Sequence, residues 1–231
     1  MEPGNRTEIA GARHKGPPLV LLAGLFAALS LAAVVVVIAM SGGDHFPSPF
    51  EPAGRSAAFF AAHAGAVQLG ALFAFAAAIP LGLYTATVVS RLHFLGLRVA
   101  GVHIALFGGL AASLFMAGSG LAMWTLSQPG VADVPTSARA VQLLTFAAGG
   151  PGHVVPLGLL VAGVAVSAGL ARLLPRWMMV FGLVVAVVAE LSTLTLILPA
   201  AAYALPLARL SAFVWLIAAA LMLPVARRAA A

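Results

Sequence analysis

Six long apolar runs, separated by short polar gaps, constrain this chain more than any other feature of its sequence. Each run reaches the roughly 20 residues that an α-helix needs to cross a bilayer. Only 8% of the residues are charged, whereas a soluble domain has about 25%. In hydrocarbon only helices and closed barrels satisfy the backbone, and these runs are continuous rather than alternating. The sequence therefore predicts an all-α bundle, polytopic in the membrane, with six transmembrane helices.

The runs also give the expected bounds of the helices. We expect one transmembrane domain over residues 17–231, preceded by a flexible cytoplasmic tail over residues 1–16, which are polar and interrupted by Gly and Pro. The first run exceeds the roughly 7–15 apolar residues of a secretory signal, so we interpret it as a retained helix. The six helices are expected over residues 18–40, 57–89, 99–126, 138–170, 177–198 and 207–225.

Basic residues cluster in every second gap, which is the pattern that fixes orientation in membrane proteins. Nine of the twelve lie on one side of the predicted membrane: Arg6, Arg13, Lys15, Arg91, Arg98, Arg172, Arg176, Arg227 and Arg228. The other side has Arg55, Arg139 and Arg209, together with Asp44, Glu51 and Asp133. The sequence therefore predicts a multi-pass protein of the cell (cytoplasmic) membrane, with the N-terminus and the C-terminus in the cytoplasm.

Charge and composition exclude several classes of function. The net charge of +6 is concentrated next to the membrane, where it meets anionic lipid, so it does not indicate a nucleic-acid partner. The chain has no cysteine, which excludes disulfides, thiol catalysis and covalent haem attachment. No catalytic, metal or nucleotide motif is present. Nothing in the sequence specifies a small-molecule substrate or an oligomeric state. We expect a non-enzymatic integral membrane protein without a resident metal or cofactor, whose partner is the lipid bilayer.

Glu190 is the only acidic residue inside an apolar run. Helical spacing from Gly182 and Ala186 predicts that it faces the interior of the bundle. Arg209, near the outer start of the sixth helix, is the expected partner in a structural ion pair. An intramembrane carboxylate is also a functional-site hypothesis by default. The alternative function is therefore a small secondary transporter or proton-linked carrier that uses Glu190.

Two histidines are expected in the same outer leaflet. His63 lies near the outer end of the second run, and His153 lies in the string GGPGHVVP, which predicts a break or strong kink in the fourth. Together with Glu190 and Arg209 they are candidates for the lining of a polar, ion-handling cavity. A second alternative is a b-type haem held between His63 and His153.

An enzymatic hypothesis rests on Ser119. It lies in the string Ala-Gly-Ser-Gly near the outer end of the third helix, and His153 follows on the fourth. An intramembrane serine protease needs its base within hydrogen-bond reach of the nucleophile. Close packing of small residues explains the same string without catalysis.

The second half of the chain resembles an uncharacterised family of bacterial six-helix integral membrane proteins, a domain-of-unknown-function group. The resemblance covers residues 140–225 and rests on Leu-Pro-Arg-Trp at 174–177, Phe-Gly-Leu at 181–183 and Phe-Val-Trp-Leu-Ile at 213–217. In that family an acidic residue often precedes the last motif, whereas residues 209–212 here read Arg-Leu-Ser-Ala. The resemblance implies a bacterial cytoplasmic-membrane protein of six helices and supplies no activity.

Overall fold

The computed structural model describes residues 13–226 and consists of packed helices. Helices account for 80% of the described residues, and no strand occurs among them. Six of the helical segments are long and apolar enough to span a membrane. The all-α class and the prediction of six helices long and apolar enough to span a membrane are therefore confirmed. Residues 1–12 of the expected tail, with Arg6, lie outside the described residues, as do Arg227 and Arg228.

The helices follow the apolar runs along the chain. The first three runs form α1 (Leu19–Met40), α2 (Ala53–Ala62), α3 (Ala64–Phe94) and α4 (Ala100–Leu126). The fourth forms α5 (Pro135–Ala147), a π-helical turn (Ala148–Gly152) and α6 (His153–Leu170). The last two form α7 (Arg176–Leu191), two 3₁₀ turns (Ser192–Leu196 and Pro199–Tyr203) and α8 (Ala204–Met222).

Consecutive spans run antiparallel, which gives the bundle two distinct ends. The backbone N–H of His14 donates to the carbonyl of Val225 at 2.8 Å, so the two ends of the described chain lie together. We call this the terminal end of the bundle. The opposite end, where α1 ends and α3 begins, is the distal end.

The second apolar run is two helices rather than the single helix expected over residues 57–89. The chain breaks at His63, whose φ of −119° and ψ of 30° are not helical. The short α2 before the break buries Phe59 and Phe60 and leaves Arg55 exposed. Uniform hydrophobicity concealed the break, since a change of direction between two apolar helices leaves no gap in the run.

The fourth span is interrupted in its distal half, where the glycines and prolines predict a break. Gly150 has φ −84° and ψ −109°, outside the helical region. Pro151 has no N–H to donate to a carbonyl of the preceding turn. The π-helical turn packs beside Ser119 and Phe115 of α4, so its freed backbone is covered by protein.

Small residues bring the helices into close contact. A methyl group placed on Gly108 would lie 2.6 Å from the carbonyl oxygen of Pro156, so α4 and α6 meet there almost backbone to backbone. Gly182 is similarly close to Trp215 of α8. Gly24 has no neighbour within 4 Å of such a methyl group, so small residues are not interfacial everywhere.

Side-chain hydrogen bonds to backbone carbonyls join the helices across the core. The buried indole of Trp215 donates to Met178 of α7 at 2.9 Å. The hydroxyl of Ser113 donates from α4 to Ala78 of α3 at 2.6 Å. These bonds satisfy polar atoms that would otherwise be unpaired in an apolar environment.

Two glycines of α4 provide a matched test of this packing. We expect Gly108→Ala to destabilise the bundle by about 1–3 kcal/mol, because the added methyl group overpacks the contact with α6. Gly118→Ala is the control, since nothing lies within 4 Å of the corresponding position. The control should leave the thermal unfolding temperature in detergent unchanged or slightly raised. Equal effects of the two substitutions would contradict the packing described here.

Candidate functional site

Arg209 lies in the second turn of α8, and its side chain reaches the break in the fourth span. Nη2 of the guanidinium donates a hydrogen bond to the carbonyl oxygen of Gly149. In a regular helix that carbonyl would accept from the N–H of His153, four residues later. Here the His153 N–H is directed to the carbonyl of Gly150. The Gly149 carbonyl therefore lacks its regular α-helical donor, and Arg209 donates to it.

The guanidinium of Arg209 retains unused hydrogen-bonding capacity. Its Nε is buried and has no hydrogen-bond partner. Among residues 13–226 no carboxylate forms an ion pair with it. A neutral carbonyl satisfies one donor but does not neutralise the charge, and buried charges are normally paired. The site is therefore complementary to an anion.

Glu190 does not provide that anion. It is exposed on the outside of the bundle, and its expected ion pair with Arg209 is not formed. The prediction that it shares an interior face with Gly182 and Ala186 is wrong, because those two residues are buried and Glu190 is not. The eighth residue after Gly182 has turned by about 80° around the helix axis. The neighbouring Ala189 occupies the buried position instead.

His153 is completely buried at the start of α6. Its Nδ1 lies 2.9 Å from the carbonyl oxygen of Ala112 and therefore donates to it. Nε2 is buried without a hydrogen-bond partner, and the ring lies 6.1 Å from the ring of Phe26 of α1. His153 thus fixes the start of α6 against α4, near mid-depth in the bundle.

His63 lies at the distal end, and the structure does not bring it to His153. Its Nε2 is 3.3 Å from Oδ2 of Asp44, in the loop that follows α1. Phe26, beside His153, lies 14 residues before the end of α1 at Met40, which is about 21 Å of helix. Two axial ligands must reach the same iron atom, so these residues do not fit a b-type haem held between them.

Ser119 has a structural hydrogen bond and no catalytic base. Its hydroxyl donates to the carbonyl oxygen of Thr145 at 2.9 Å, while His153 is bonded to Ala112. No hydrogen bond joins Ser119 to a histidine within the described residues, so the dyad that a serine protease requires is not formed. The same part of the chain contains no cluster of three His, Asp or Glu side chains suited to a metal ion.

A cavity of about 420 Å³ adjoins Arg209 in the distal half of the bundle. This volume falls within the range of roughly 300–1,000 Å³ typical of small-molecule sites. Apart from the guanidinium and a few hydroxyl groups, its walls are apolar. The side chains that shape it include Ser30, Val34, Ile38, Met116, Phe146 and Arg209.

The cavity reaches the lateral surface of the bundle. Val34 and Ile38 of α1 line it and are 53% and 50% exposed. Pro206 of α8 also lines the cavity and is exposed. The mouth therefore lies between α1 and α8, on a surface that faces the hydrocarbon of a bilayer.

The loop over residues 41–52, here called the distal loop, covers the distal side of the cavity. Phe46 of this loop is part of the cavity wall. The buried side chain of Gln142, on α5, donates from Nε2 to the carbonyl oxygen of Pro47 at 3.0 Å. The loop is therefore attached to the fourth span, close to its break.

Glu51 organises the other end of the distal loop. Its carboxylate accepts from the backbone N–H of Ser48 at 3.0 Å and lies 3.2 Å from both His45 and Arg55. Arg139 donates from α5 to the backbone carbonyl of Glu51. The Ser48 N–H, followed by the charge of Arg55, holds the pKa of Glu51 below its ordinary value.

Sequence reasoning identified Arg209 but missed the residues around it. The part of α1 that lines the cavity is apolar on every face, so periodicity does not distinguish Ser30, Val34 and Ile38 from residues that face lipid. The partner of Arg209 is a backbone carbonyl, which no residue type in the sequence identifies. The sequence signal that could have located this site was the combination of a glycine-rich break and an intramembrane arginine.

Comparison with known proteins adds no relative to this description. No protein-family model, no curated protein and no solved structure matches the chain. The resemblance to a bacterial six-helix family over residues 140–225 stays a prediction.

The low pKa of Glu51 predicts that acid loosens the distal loop. A lowered pKa stabilises the loop above the ordinary carboxylate range, and this stabilisation is lost as the pH falls through the pKa of the folded state. Glu51→Gln should therefore speed hydrogen exchange of amides 44–51 at neutral pH. The ratio of exchange rates between variant and wild type should fall toward one as the pH is lowered.

Asp133→Asn is the control for this experiment. Asp133 is an exposed acid in another loop at the distal end and forms no ion pair within residues 13–226. Its substitution should leave exchange in the distal loop unchanged at every pH. A ratio for Glu51→Gln that is independent of pH would show that the carboxylate does not fasten the loop.

Proposed function

We propose that this chain is a non-enzymatic multi-pass membrane protein that binds a lipophilic anion, with the chemistry of a fatty acid, in the cavity beside Arg209. The observation that carries the proposal is the guanidinium of Arg209. It lies in an apolar environment, has a buried Nε without a partner and forms no ion pair within the described residues. A carboxylate is the ligand group that matches a planar guanidinium.

The walls and the mouth of the cavity favour an apolar body on this anion. Val34, Ile38, Met116 and Phe146 offer hydrocarbon surface to a chain. Because the mouth opens between α1 and α8, a ligand dissolved in the bilayer can enter laterally without crossing water. A small hydrophilic anion would leave these walls in contact with water and would gain little from them.

The distribution of basic residues supports an orientation for this site. We propose that both termini are cytoplasmic and that the protein lies in the cell membrane, as the excess of Lys and Arg at the terminal end favours. The cavity then belongs to the outer half of the bilayer. The distal loop would cover it from the extracytoplasmic side.

The position of Glu190 does not support the alternative of a proton-linked carrier in which this residue shares a pathway with Arg209. Glu190 is exposed on α7, whereas the cavity lies among α1, α4, the π-helical turn and α8. It does not line the cavity. Glu190 therefore serves as a control position in the binding experiment.

Native mass spectrometry of the purified full chain with decanoate tests the proposal. We expect a single bound decanoate on the wild type and at least about tenfold weaker binding to Arg209→Gln. A hydrogen bond to a charged group contributes roughly 1.5–3 kcal/mol, and each 1.4 kcal/mol is about tenfold in affinity. Decanol and decylamine carry the same chain without the negative charge and should bind weakly.

The control variant is Glu190→Gln, which removes an intramembrane charge outside the cavity. It should bind decanoate as the wild type does. Circular dichroism and thermal unfolding establish that each variant is folded. Equal binding of decanoate, decanol and decylamine would rule out recognition of the anion, as would unchanged binding to folded Arg209→Gln.

The chain contains no cysteine, so single-cysteine labelling can test the proposed orientation directly. Ser137→Cys places an exposed thiol at the distal end, and Ala171→Cys places one at the terminal end. A membrane-impermeant maleimide should label the first variant in intact cells and the second only after permeabilisation. The reverse pattern would contradict the orientation.

A further inference from the structure

Residues 13–16 form part of a second polar site, at the terminal end of the bundle. Arg13 pairs with Ala226 through a backbone bridge, and the N–H of His14 donates to Val225. Nε2 of the His14 ring lies 3.1 Å from the hydroxyl of Ser90, in the last turn and a half of α3. The two ends of the described chain therefore close together over the end of α3.

Arg91 follows Ser90 and is unusually buried for a residue near a helix end. Its side chain is 6% exposed, and its Nε is buried without a hydrogen-bond partner. No carboxylate of residues 13–226 forms an ion pair with it. A buried guanidinium with a free donor is a costly arrangement unless an anion completes it.

His14, whose ring bonds to the residue next to Arg91, presents a second unpaired atom. Its Nδ1 is buried and has no hydrogen-bond partner. Burial and the positive charge of Arg91 lower the pKa of His14, which favours the neutral imidazole. When the Ser90 hydroxyl donates to Nε2, the proton of the ring resides on Nδ1 and is available to an acceptor.

We propose that Arg91, His14 and Ser90 form a binding site for a phosphate monoester at the terminal end of the bundle. The guanidinium supplies charge and a planar set of donors that matches phosphate oxygens. The imidazole N–H adds a neutral donor beside it. The same chemistry is offered by the headgroup of phosphatidic acid and by free inorganic phosphate. This site is separate from the Arg209 cavity, and its ligand differs in class.

The location favours the lipid as the source of the phosphate. Arg91 lies three residues before the end of α3 at Phe94, at the depth where lipid headgroups meet a membrane-spanning helix. A lipid phosphate bound there would contact both the N-terminal segment and α3. Its binding would fasten the paired segments, residues 13–14 and 225–226, to the bundle.

The experiment measures binding of dioctanoyl phosphatidic acid to the detergent-purified full chain by native mass spectrometry. We expect binding that is weakened about tenfold by Arg91→Gln and by His14→Ala. Arg98→Gln is the matched control, because Arg98 is an exposed arginine in the turn that follows α3. Its substitution should have no effect. Dioctanoyl phosphatidylcholine, a phosphodiester without net charge, should not bind at this site.

A second arm titrates inorganic phosphate against the bound lipid. Displacement at similar concentrations identifies the phosphate group alone as the ligand, whereas retention of the lipid identifies the lipid headgroup together with its chains. Either result supports the site if both variants weaken binding. If Arg91→Gln fails to fold, the lipid binding of His14→Ala decides the test. That substitution lies in the segment before α1 and leaves the packed helices unchanged. Equal weakening by Arg98→Gln, or no binding of either probe, would overturn the proposal.

Discussion

The hydrogen bond from Arg209 to the carbonyl of Gly149 is the interaction on which the architecture of the distal half depends. A bilayer offers no water to a freed carbonyl, so a broken helix needs a donor from the protein. Arg209 is that donor, and it brings a positive charge into the distal half of the bundle. The break and the charged group that bonds to it thus line the same cavity.

The arginines of this chain divide by environment into groups with different roles. Most of the described arginines at the terminal end, such as Arg98 and Arg172, are exposed, and their number favours the proposed orientation. Arg55 and Arg139 attach the distal loop through Glu51. Arg91 and Arg209 have buried Nε atoms without partners. Unsatisfied donors, rather than charge alone, distinguish these two as candidate binding residues.

Much of the fold was predictable because a bilayer requires each spanning helix to be both long and apolar. The interruption near Pro151 was predictable because proline and glycine change the backbone locally. The break at His63 was not, since both of its flanks are equally apolar. The orientation of Glu190 was missed because a rotation of about 80° around the helix axis separates it from Gly182 in the buried stripe of α7. The partner of Arg209 is a backbone atom, which sequence patterns do not report.

The most direct test of an anion site at Arg209 is a structure of the full chain with a fatty acid brominated at its terminal carbon. Anomalous scattering locates the bromine independently of the protein model. The account predicts one bromine peak inside the cavity, among Val34, Met116 and Phe146, with the carboxylate bonded to Arg209. A bromine peak only on the lipid-facing surface, or a carboxylate bound away from Arg209, would contradict it.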